Sequence, residues 1–171
     1  MDEQGEWMGI QHIIQHTIQI QHANQDDLDE ILTLQKLAYQ ENAVRYNDTH
    51  IPPLTETLDE MIEESKSRIF LKAVVDDVII GSVRGCKKDD CAYIERLIVH
   101  PNYQNQGIGR KLMTAIEQEL NASVFRLVAG HLDDKNISFY SKLGYVIYGE
   151  QRQISPNLSY VHMGKKRPQI M

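Results

Sequence analysis

The sequence predicts an α/β (α+β) domain in which a mixed, mostly antiparallel central sheet of about six to seven strands is flanked by helices. Three observations lead to this class. Short runs rich in β-branched residues recur along the chain, and the turn signal Asp76-Asp77 joins two of them as a hairpin. Elsewhere, apolar residues recur with the spacing of a helical stripe. Past mid-chain, the strand-like residues 93–100 lead through a glycine-containing turn into one such helix. In chain order the signals read βααβββαβαββ.

Length and composition indicate a single domain. The 171 residues are enough to bury a sizeable core without metal ions or disulfide bonds. A hydrophobic content of 42% and a charged content of 25% are typical of soluble globular proteins. We predict an N-terminal extension, a candidate mobile arm, over residues 1–14, one domain over residues 15–166 and a short tail over residues 167–171.

The charge of the chain limits its partners. A net charge of −6 argues against a nucleic-acid surface and mildly favours a cationic partner such as an amine. No run of residues reaches the length of a membrane span, and the N-terminus lacks the basic start and apolar centre of a signal peptide. We therefore predict a cytoplasmic protein that binds neither nucleic acid nor membrane. Both a monomer and a homodimer stay open.

Cysteine and histidine usage indicates neither a disulfide framework nor a metal site. Cys86 and Cys91 are the only cysteines, and they flank residues 87–90. If this stretch is a hairpin loop, the two thiols face each other and could form a disulfide or a redox switch. In a reducing cytosol, two free thiols are the favoured interpretation. The histidines are scattered without ligand spacing, so we predict no metal.

The N-terminal third is predicted to hold one strand and two helices. Apolar and polar residues alternate over residues 17–21, which is typical of a strand with one exposed face. Residues 24–27 offer helix caps, and a helical stripe follows them. After the polar stretch 40–49, Thr57 and Glu60 have the spacing of a capping box for a second helix. This helix, loop, helix segment is a candidate lid.

Four strands are predicted for the middle of the chain. Residues 69–75, 78–86 and 92–100 form three successive antiparallel strands separated by turn signals. Residues 124–130 form another strand that is reached through a helical crossover, so we expect it to run parallel to its neighbour.

A short helix and two strands complete the prediction. Asp133 and Asp134 are candidate caps for a helix that runs to about Leu143, and Gly144 is well placed as its C′ residue. Strands at residues 145–148 and 158–163 then close the sheet.

The most informative stretch is the turn Gln104-Asn105-Gln106-Gly107-Ile108-Gly109 between the strand and the long helix. Pro101 and Asn102 end the strand, because proline cannot donate to a ladder and asparagine favours turns. One apolar stripe then marks the helix: Ile108, Leu112, Ile116 and Leu120. At such a helix start, free N–H groups and the positive end of the helix dipole point outward. The turn therefore predicts an anion site.

Two common nucleotide-binding loops do not fit this turn. A phosphate-loop NTPase requires lysine and then serine or threonine directly after the second glycine, where Arg110 and Lys111 stand. A dinucleotide-binding fingerprint requires a third glycine at position 112, which is Leu112.

The turn instead resembles the acetyl-CoA pyrophosphate loop of the GNAT N-acetyltransferase superfamily. The matching residues are the pattern Gln104-x-x-Gly107-x-Gly109 after a strand that ends in Leu97-x-Val99. The order of elements over residues 17–163 is also similar to that of the superfamily. A further similarity lies in the last predicted helix, which has Asn136, then Phe139-Tyr140, then Leu143-Gly144-Tyr145.

The resemblance implies acetyl-CoA as the cosubstrate. Its pyrophosphate would bind to the backbone of Gln104, Asn105, Gln106, Gly107, Ile108, Gly109 and Arg110. Its pantetheine arm would pair like an added strand with the backbone of Leu97, Ile98 and Val99. That pairing requires a splay between the fourth and fifth strands. Asn136 would bond a pantetheine amide; the alternative is a helix-start residue that serves only as a cap.

The resemblance also implies acetyl transfer to a primary amine of a small molecule or peptide, by direct attack in a ternary complex. Tyr140 would be the acid for the CoA thiolate; the alternative is a core aromatic residue. Glu95 is the first candidate base, although it could be a paired or exposed strand carboxylate. His131 is a rival base and Glu41 is a third option. A backbone N–H near Leu97 or Ile98 would stabilise the oxyanion.

Acceptor specificity is assigned to the segment 39–53 and to the loop at residues 155–157. A polar acceptor pocket could be lined by Tyr39, Glu41, Asn42, Tyr46 and Asn47, which could equally form an exposed loop. The alternative function is a catalytically silent acyl-CoA-binding regulatory module. It has no need of an acid beside the sulfur, so Tyr140 and Asn136 argue against it.

Overall fold

The computed structural model describes residues 17–168. The predicted N-terminal extension over residues 1–14 lies outside the described residues, as do residues 169–171 of the predicted tail.

Within residues 17–168, seven strands form one sheet. They are β1 (Gln19–His22), β2 (Ile69–Val75), β3 (Val78–Lys88), β4 (Cys91–Val99), β5 (Val124–Gly130), β6 (Val146–Gln153) and β7 (Ser159–Lys166). Their spatial order is β1-β2-β3-β4-β5-β7-β6. Neighbouring strands are antiparallel except for β4 and β5, which are parallel. The predicted fold class is confirmed, and the parallel pair is the one that the helical crossover predicted.

The described residues form six α-helices. They are α1 (Leu28–Ala38), α2 (Gln40–Tyr46), α3 (Pro52–Thr55), α4 (Leu58–Ser65), α5 (Ile108–Leu120) and α6 (Asp134–Lys142). Asn24 caps a short 3-10 turn before α1, and the Thr57 side chain accepts a hydrogen bond from the Glu60 N–H at the start of α4. These starts agree with the predicted caps. Helices α2 and α3 are additional to the predicted order.

The polar stretch 40–49 is not the loop that its composition predicts. Most of it is α2, because Ala43 and Tyr46 lie one turn apart and are both buried. The Tyr46 hydroxyl accepts a hydrogen bond from the Leu132 N–H at 3.1 Å. It lies so close to β5 that a Cβ added at Gly130 would come within 2.1 Å of the hydroxyl oxygen. Long-range packing on the end of β5 therefore holds α2 in place.

Helices cover the two faces of the sheet unequally. One face packs against α5 and α6 in a core that includes Leu71, Val83, Ile94, Leu112, Ile116, Phe125, Leu127, Val161 and Met163. On the other face, α1 and α4 pack against the N-terminal half of the sheet in a second cluster that includes Leu28, Ile31, Met61, Phe70, Ile79 and Ile98. Neither cluster includes the corresponding face of β5, β7 and β6, and this face is available to form a cavity.

The last helix ends as predicted. Gly144 has a φ of 98°, and its N–H donates to the Ser141 carbonyl oxygen at 3.1 Å. The Tyr145 N–H donates to the Tyr140 carbonyl oxygen at 3.1 Å, which completes a Schellman motif. At the other end, the Asp133 side chain accepts a hydrogen bond from the Asn136 N–H. Both ends of α6 are fixed, and Tyr140 is held between them.

The two cysteines do not face each other across a loop, and the favoured interpretation of two free thiols is confirmed. The turn between β3 and β4 contains only Asp89 and Asp90, because lysines 87 and 88 continue β3. Cys86 therefore pairs with Tyr93, and Cys91 pairs with Lys88. Both thiols are free.

Candidate active site

A gap opens between the two parallel strands. They pair only over Cys91–Tyr93 of β4 and Val124–Arg126 of β5. Beyond these residues β4 continues to Val99 and β5 to Gly130 without pairing to each other. The predicted splay between the fourth and fifth strands is confirmed.

A β-bulge in β4 accompanies the splay. Between the Ser82–Ile98 and Arg84–Glu95 pairs, β4 has two residues where β3 has one. The first of the two, Arg96, has a φ of 54°, which is unusual for a large side chain. A bulge bends its strand and increases the local twist. This bend directs β4 away from β5, and the sequence gives no glycine signal for it.

A cavity of about 480 Å³ lies on the turn side of the gap. We call it the loop-side cavity. Of the residues predicted to bind the cofactor, those that line it are Leu97, Ile98, Val99, Gln104, Asn105, Gly107, Ile108, Gly109, Arg110 and Asn136. Gln106 is exposed outside the lining, and Tyr140 faces a second cavity. The fold therefore brings together residues that are up to 39 positions apart in the sequence.

The turn presents unpaired backbone donors to this cavity. Gly107 caps α5 with a φ of 80°. No described residue accepts a hydrogen bond from the backbone N–H groups of residues 104–110. A Cβ at Gly109 would come within 3.2 Å of the Phe139 ring, so α5 and α6 approach closely here. Free N–H groups at the positive end of a 13-residue helix suit a phosphate group.

The second cavity lies on the exposed face of the sheet and has a volume of about 730 Å³. We call it the sheet-side cavity. Tyr39, Asn42 and Tyr46 of the predicted acceptor segment line it, whereas Glu41 lines the loop-side cavity and Asn47 lines neither. Of the second predicted region, the flanking residues Ile154 and Leu158 line the sheet-side cavity instead of residues 155–157.

Asn136 and Tyr140 lie one turn apart on α6 where the two cavities meet. Asn136 lines both cavities. Its side-chain N–H donates to Asp133 at 2.9 Å, so Asp133, and not Asn136, is the cap of the helix. Tyr140 lines the sheet-side cavity with 7% of its surface exposed. No described residue forms a hydrogen bond with its hydroxyl. Burial raises the pKa of Tyr140 well above its ordinary value, so the phenol is protonated at neutral pH.

Glu95 lines the sheet-side cavity but is already paired. Its carboxylate accepts a hydrogen bond from Arg68 Nε at 2.7 Å and lies 3.9 Å from Arg84 Nη2. Glu95 is therefore a paired strand carboxylate, as the alternative interpretation predicts, and it also lines the cavity, as a base would have to.

The rival base His131 lines neither cavity. Its Nδ1 accepts a hydrogen bond from the Ser159 N–H at 3.0 Å, and its ring packs against Tyr46 at 5.6 Å. These contacts link β5 to β7, which is a structural role.

Sequence reasoning missed a buried polar network beneath the sheet-side cavity. Arg84 Nη1 donates to Glu56 Oε2 at 2.7 Å, and Gln35 Nε2 donates to Glu56 Oε1 at 2.9 Å. Arg96 Nε also contacts Glu56 Oε1, at 3.4 Å. Burial by itself would raise the pKa of Glu56, but the hydrogen bonds from Arg84 and Gln35 outweigh it and lower this pKa. The sequence signal is Arg84, a charged residue that follows the largely apolar first half of β3.

We expect Glu56→Gln to lower the free energy of unfolding at pH 7 by about 3 kcal/mol, because it removes the hydrogen-bonded carboxylate partner of the buried Arg84 charge. The Glu56 pKa is lower in the folded than in the unfolded chain. Its contribution is therefore complete above about pH 4.3 and is lost as the pH falls through the folded-state value. Urea unfolding should show that the free energy of unfolding changes less between pH 7 and pH 3 in Glu56→Gln than in the wild type. The exposed Glu60→Gln variant is the control, and equal pH dependence in all three proteins would contradict this assignment.

The described residues 17–168 contain neither a cluster of metal ligands nor a membrane-spanning helix. No group of three or more histidine, cysteine, aspartate or glutamate side chains there could hold a metal ion. No helix in this part of the chain is long and apolar enough to cross a membrane.

Comparisons with known proteins agree with this architecture. Residues 28–145 match the model of the Acetyltransferase (GNAT) family. The glucosamine 6-phosphate N-acetyltransferase of Schizosaccharomyces pombe is 33% identical over 58 residues, which are 33% of this chain and 51% of that protein. The matched region thus spans about half the length of this curated relative.

Solved structures show the same fold. A PaiA N-acetyltransferase from Thermoplasma acidophilum in complex with coenzyme A has a TM-score of 0.73 at 18% identity, over 88% of this chain and 99% of that one. A ribosomal-protein-alanine N-acetyltransferase from Brucella melitensis has a TM-score of 0.69 at 18% identity, over 87% and 99% of the two chains. Because the family match covers more than half of the sequence, the chain belongs to the GNAT acetyltransferase family.

Proposed function

We propose that this protein transfers the acetyl group of acetyl-CoA to a primary amine of a small molecule or peptide, by direct attack in a ternary complex. The observation that supports this most strongly is the gap between β4 and β5. It joins a loop-side cavity with unpaired N–H donors to a sheet-side cavity that contains the Tyr140 hydroxyl. A cosubstrate and an acceptor can thus approach the gap from two different cavities.

The residues of the loop-side cavity fit a CoA ester. The N–H groups of residues 104–110 would hold the pyrophosphate, and the exposed Arg110 adds positive charge nearby. The unpaired edge of β4 from Leu97 to Val99 would pair with the amide groups of the pantetheine arm. Asn136 would bond one of these amides through its side-chain oxygen, since its nitrogen donates to Asp133. Acetyl-CoA supplies the thioester whose carbonyl carbon the amine attacks.

The residues near the gap would assist bond exchange. As the C–N bond forms and the C–S bond breaks, a backbone N–H near Leu97 or Ile98 would donate to the developing oxyanion. The protonated Tyr140 would donate to the leaving sulfur, whose conjugate acid has a pKa of about 8.5. Glu95, directly or through water, would accept the proton that the amine loses, provided that Arg68 releases it.

One observation favours the alternative of a catalytically silent acyl-CoA-binding regulatory module. Glu95 is engaged by Arg68 at 2.7 Å, so this candidate base is not free in the structure. A regulatory module would bind acetyl-CoA but release no CoA with any amine. The cytoplasmic location, and the choice between monomer and homodimer, stay predictions from the sequence.

Titration calorimetry with acetyl-CoA, ATP and NAD is the first test. We expect acetyl-CoA to bind and ATP and NAD not to bind. If acetyl-CoA does not bind, both the enzyme and the regulatory module are rejected. An acceptor panel of amines, amino sugars, amino acids and peptides, monitored by release of free CoA, then separates the two. Acetyl-CoA binding without turnover on any acceptor would favour the regulatory module.

A further inference from the structure

The sheet-side cavity is basic, although the chain as a whole has a net charge of −6. Five cationic side chains line it: Arg68, Lys88, Arg96, Arg126 and Arg152. Of the described carboxylates, two line it, Glu95 and Asp133, and both are engaged. Glu95 accepts a hydrogen bond from Arg68 at 2.7 Å, and Asp133 accepts one from Asn136 at 2.9 Å and lies 3.7 Å from Arg45. A cavity lined by one sign of charge attracts ligands of the opposite sign.

Arg96 offers the best-placed donors in this cavity. Its Nε contacts Glu56 at 3.4 Å, whereas no described residue accepts a hydrogen bond from its two terminal nitrogens. These nitrogens are not sealed off, because Arg96 lines the cavity and 19% of its side chain is exposed. A guanidinium fixed through Nε presents its other N–H groups as a planar fork, which matches the two oxygens of a carboxylate or phosphate.

The surroundings of Arg96 fix its position. Glu56, which holds the guanidinium, is itself fixed by Arg84 at 2.7 Å and by Gln35 at 2.9 Å. The Arg96 backbone lies in the bulge with a φ of 54°, a conformation that persists only where the surrounding structure determines it. Such strain is concentrated at functional sites, and here it directs a buried charge toward a cavity. If Arg96 served only to form an ion pair with Glu56, its two terminal nitrogens would not need to be left without partners at a cavity.

Two tyrosines add neutral donors beside the fork. Tyr39 and Tyr160 line the same cavity, and both lie near enough to Arg96 to interact with it electrostatically. Neither hydroxyl forms a hydrogen bond with a described residue. Arg96 also precedes Leu97, whose backbone borders the gap between β4 and β5. An anion bound here would leave the rest of its molecule within reach of the gap.

We propose that the amine acceptor carries an oxyanion, a carboxylate or a phosphate, which the terminal nitrogens of Arg96 bind together with the hydroxyls of Tyr39 and Tyr160. The proposal rests on the acetyl transfer proposed above and names the class of acceptor. The amine end of the acceptor would extend from Arg96 toward Tyr140. The other cationic residues of the cavity would raise the local concentration of such a molecule.

Calorimetry on the CoA-saturated protein tests this proposal without requiring turnover. Matched pairs of amines serve as probes: ω-amino carboxylates of two to six carbons against their amides, and glucosamine 6-phosphate against glucosamine. We expect an anionic member to bind at least about tenfold more tightly than its neutral partner. The two series distinguish a carboxylate from a phosphate.

Variants of Arg96 assign the preference to this residue. Arg96→Gln should remove most of the preference for the anionic amine, and Arg96→Lys should retain more of it, because lysine keeps the charge but loses the fork. Arg167→Gln, an arginine outside both cavities, should behave like the wild type. Thermal unfolding of each variant verifies that it is folded.

Two results would overturn the proposal: equal affinity of the wild type for charged and neutral amines, or an unchanged preference in folded Arg96→Gln. A different outcome is that the anionic amine binds in calorimetry but releases no CoA when it is supplied together with acetyl-CoA. It would reject the proposed acetyl transfer and leave the oxyanion site supported.

Discussion

Replacing Gly107 with glutamate is expected to weaken acetyl-CoA binding by at least about 25-fold. Gly107 caps α5 and lines the loop-side cavity, where the free N–H groups of the turn face the position proposed for the pyrophosphate. A carboxylate about 4 Å from a phosphate charge costs roughly 4 kcal/mol at an effective dielectric constant of about 20. Even if salt screens half of this energy, about 2 kcal/mol remains, and each 1.4 kcal/mol corresponds to about tenfold in affinity. Backbone strain adds to the loss, because φ is 80°.

Two control variants separate charge from backbone strain. A Cβ at Gly107 would meet no heavy atom within 4 Å, so any effect of Gly107→Ala arises from the positive φ alone. Gly107→Asn introduces an uncharged polar side chain, one methylene shorter than glutamate, in a residue that tolerates this conformation. We expect both to weaken binding by only a few-fold in calorimetry, with the Asn variant nearer to the wild type. Equal affinities for all four proteins would place the pyrophosphate elsewhere.

The features that the sequence predicts correctly are those that local patterns encode. The alternating strands, the hairpin at Asp76-Asp77 and the ends of α6 each depend on residues within a few positions of one another. The turn at residues 104–109 is of the same kind, because its glycines lie between an apolar strand and an apolar helical stripe. The splay was predicted from the family resemblance, and the structure adds its local feature, the bulge at Arg96.

The features that the sequence does not reveal depend on contacts between distant residues. The stretch 40–49 is polar, and only the packing of Tyr46 against the end of β5 makes α2 a helix. The buried network joins Gln35, Glu56, Arg84 and Arg96, which belong to four different segments. These residues are far apart in the sequence and form no periodic pattern. In the sequence alone, each of them is therefore an isolated charged or polar side chain.

Net charge was an incomplete guide to the acceptor for the same reason. The value of −6 mildly favours a cationic partner, but it averages over the whole surface. Alternation along β3, β5 and β6 places Lys88, Arg126 and Arg152 on the face that no helix of the two core clusters covers. The charge at the site is therefore set by strand register, and it is opposite in sign to the total.

Replacing Tyr140 with phenylalanine is expected to lower kcat by about 10²–10⁴-fold while leaving acetyl-CoA affinity within about twofold, once an acceptor is identified. The substitution removes one hydroxyl that faces the sheet-side cavity and has no hydrogen-bond partner among the described residues. It retains the ring, which packs against Phe139 at 5.3 Å and Tyr145 at 6.0 Å. Turnover measured by CoA release should therefore fall in Tyr140→Phe, whereas acetyl-CoA affinity measured by calorimetry should stay close to that of the wild type.

Tyr145→Phe is a matched control for this variant. The Tyr145 hydroxyl donates to Glu117 at 2.7 Å and lies outside both cavities, so its loss should cost about 1 kcal/mol of stability without a comparable loss of kcat. Because burial raises the pKa of Tyr140, its phenol stays protonated from pH 6 to pH 9, and the kcat ratio of wild type to Tyr140→Phe should be constant over this range. An unchanged kcat in Tyr140→Phe would reject the acid. An equal loss in both variants would assign the effect to the packing of α6, because the two rings are neighbours and only one hydroxyl reaches the cavity.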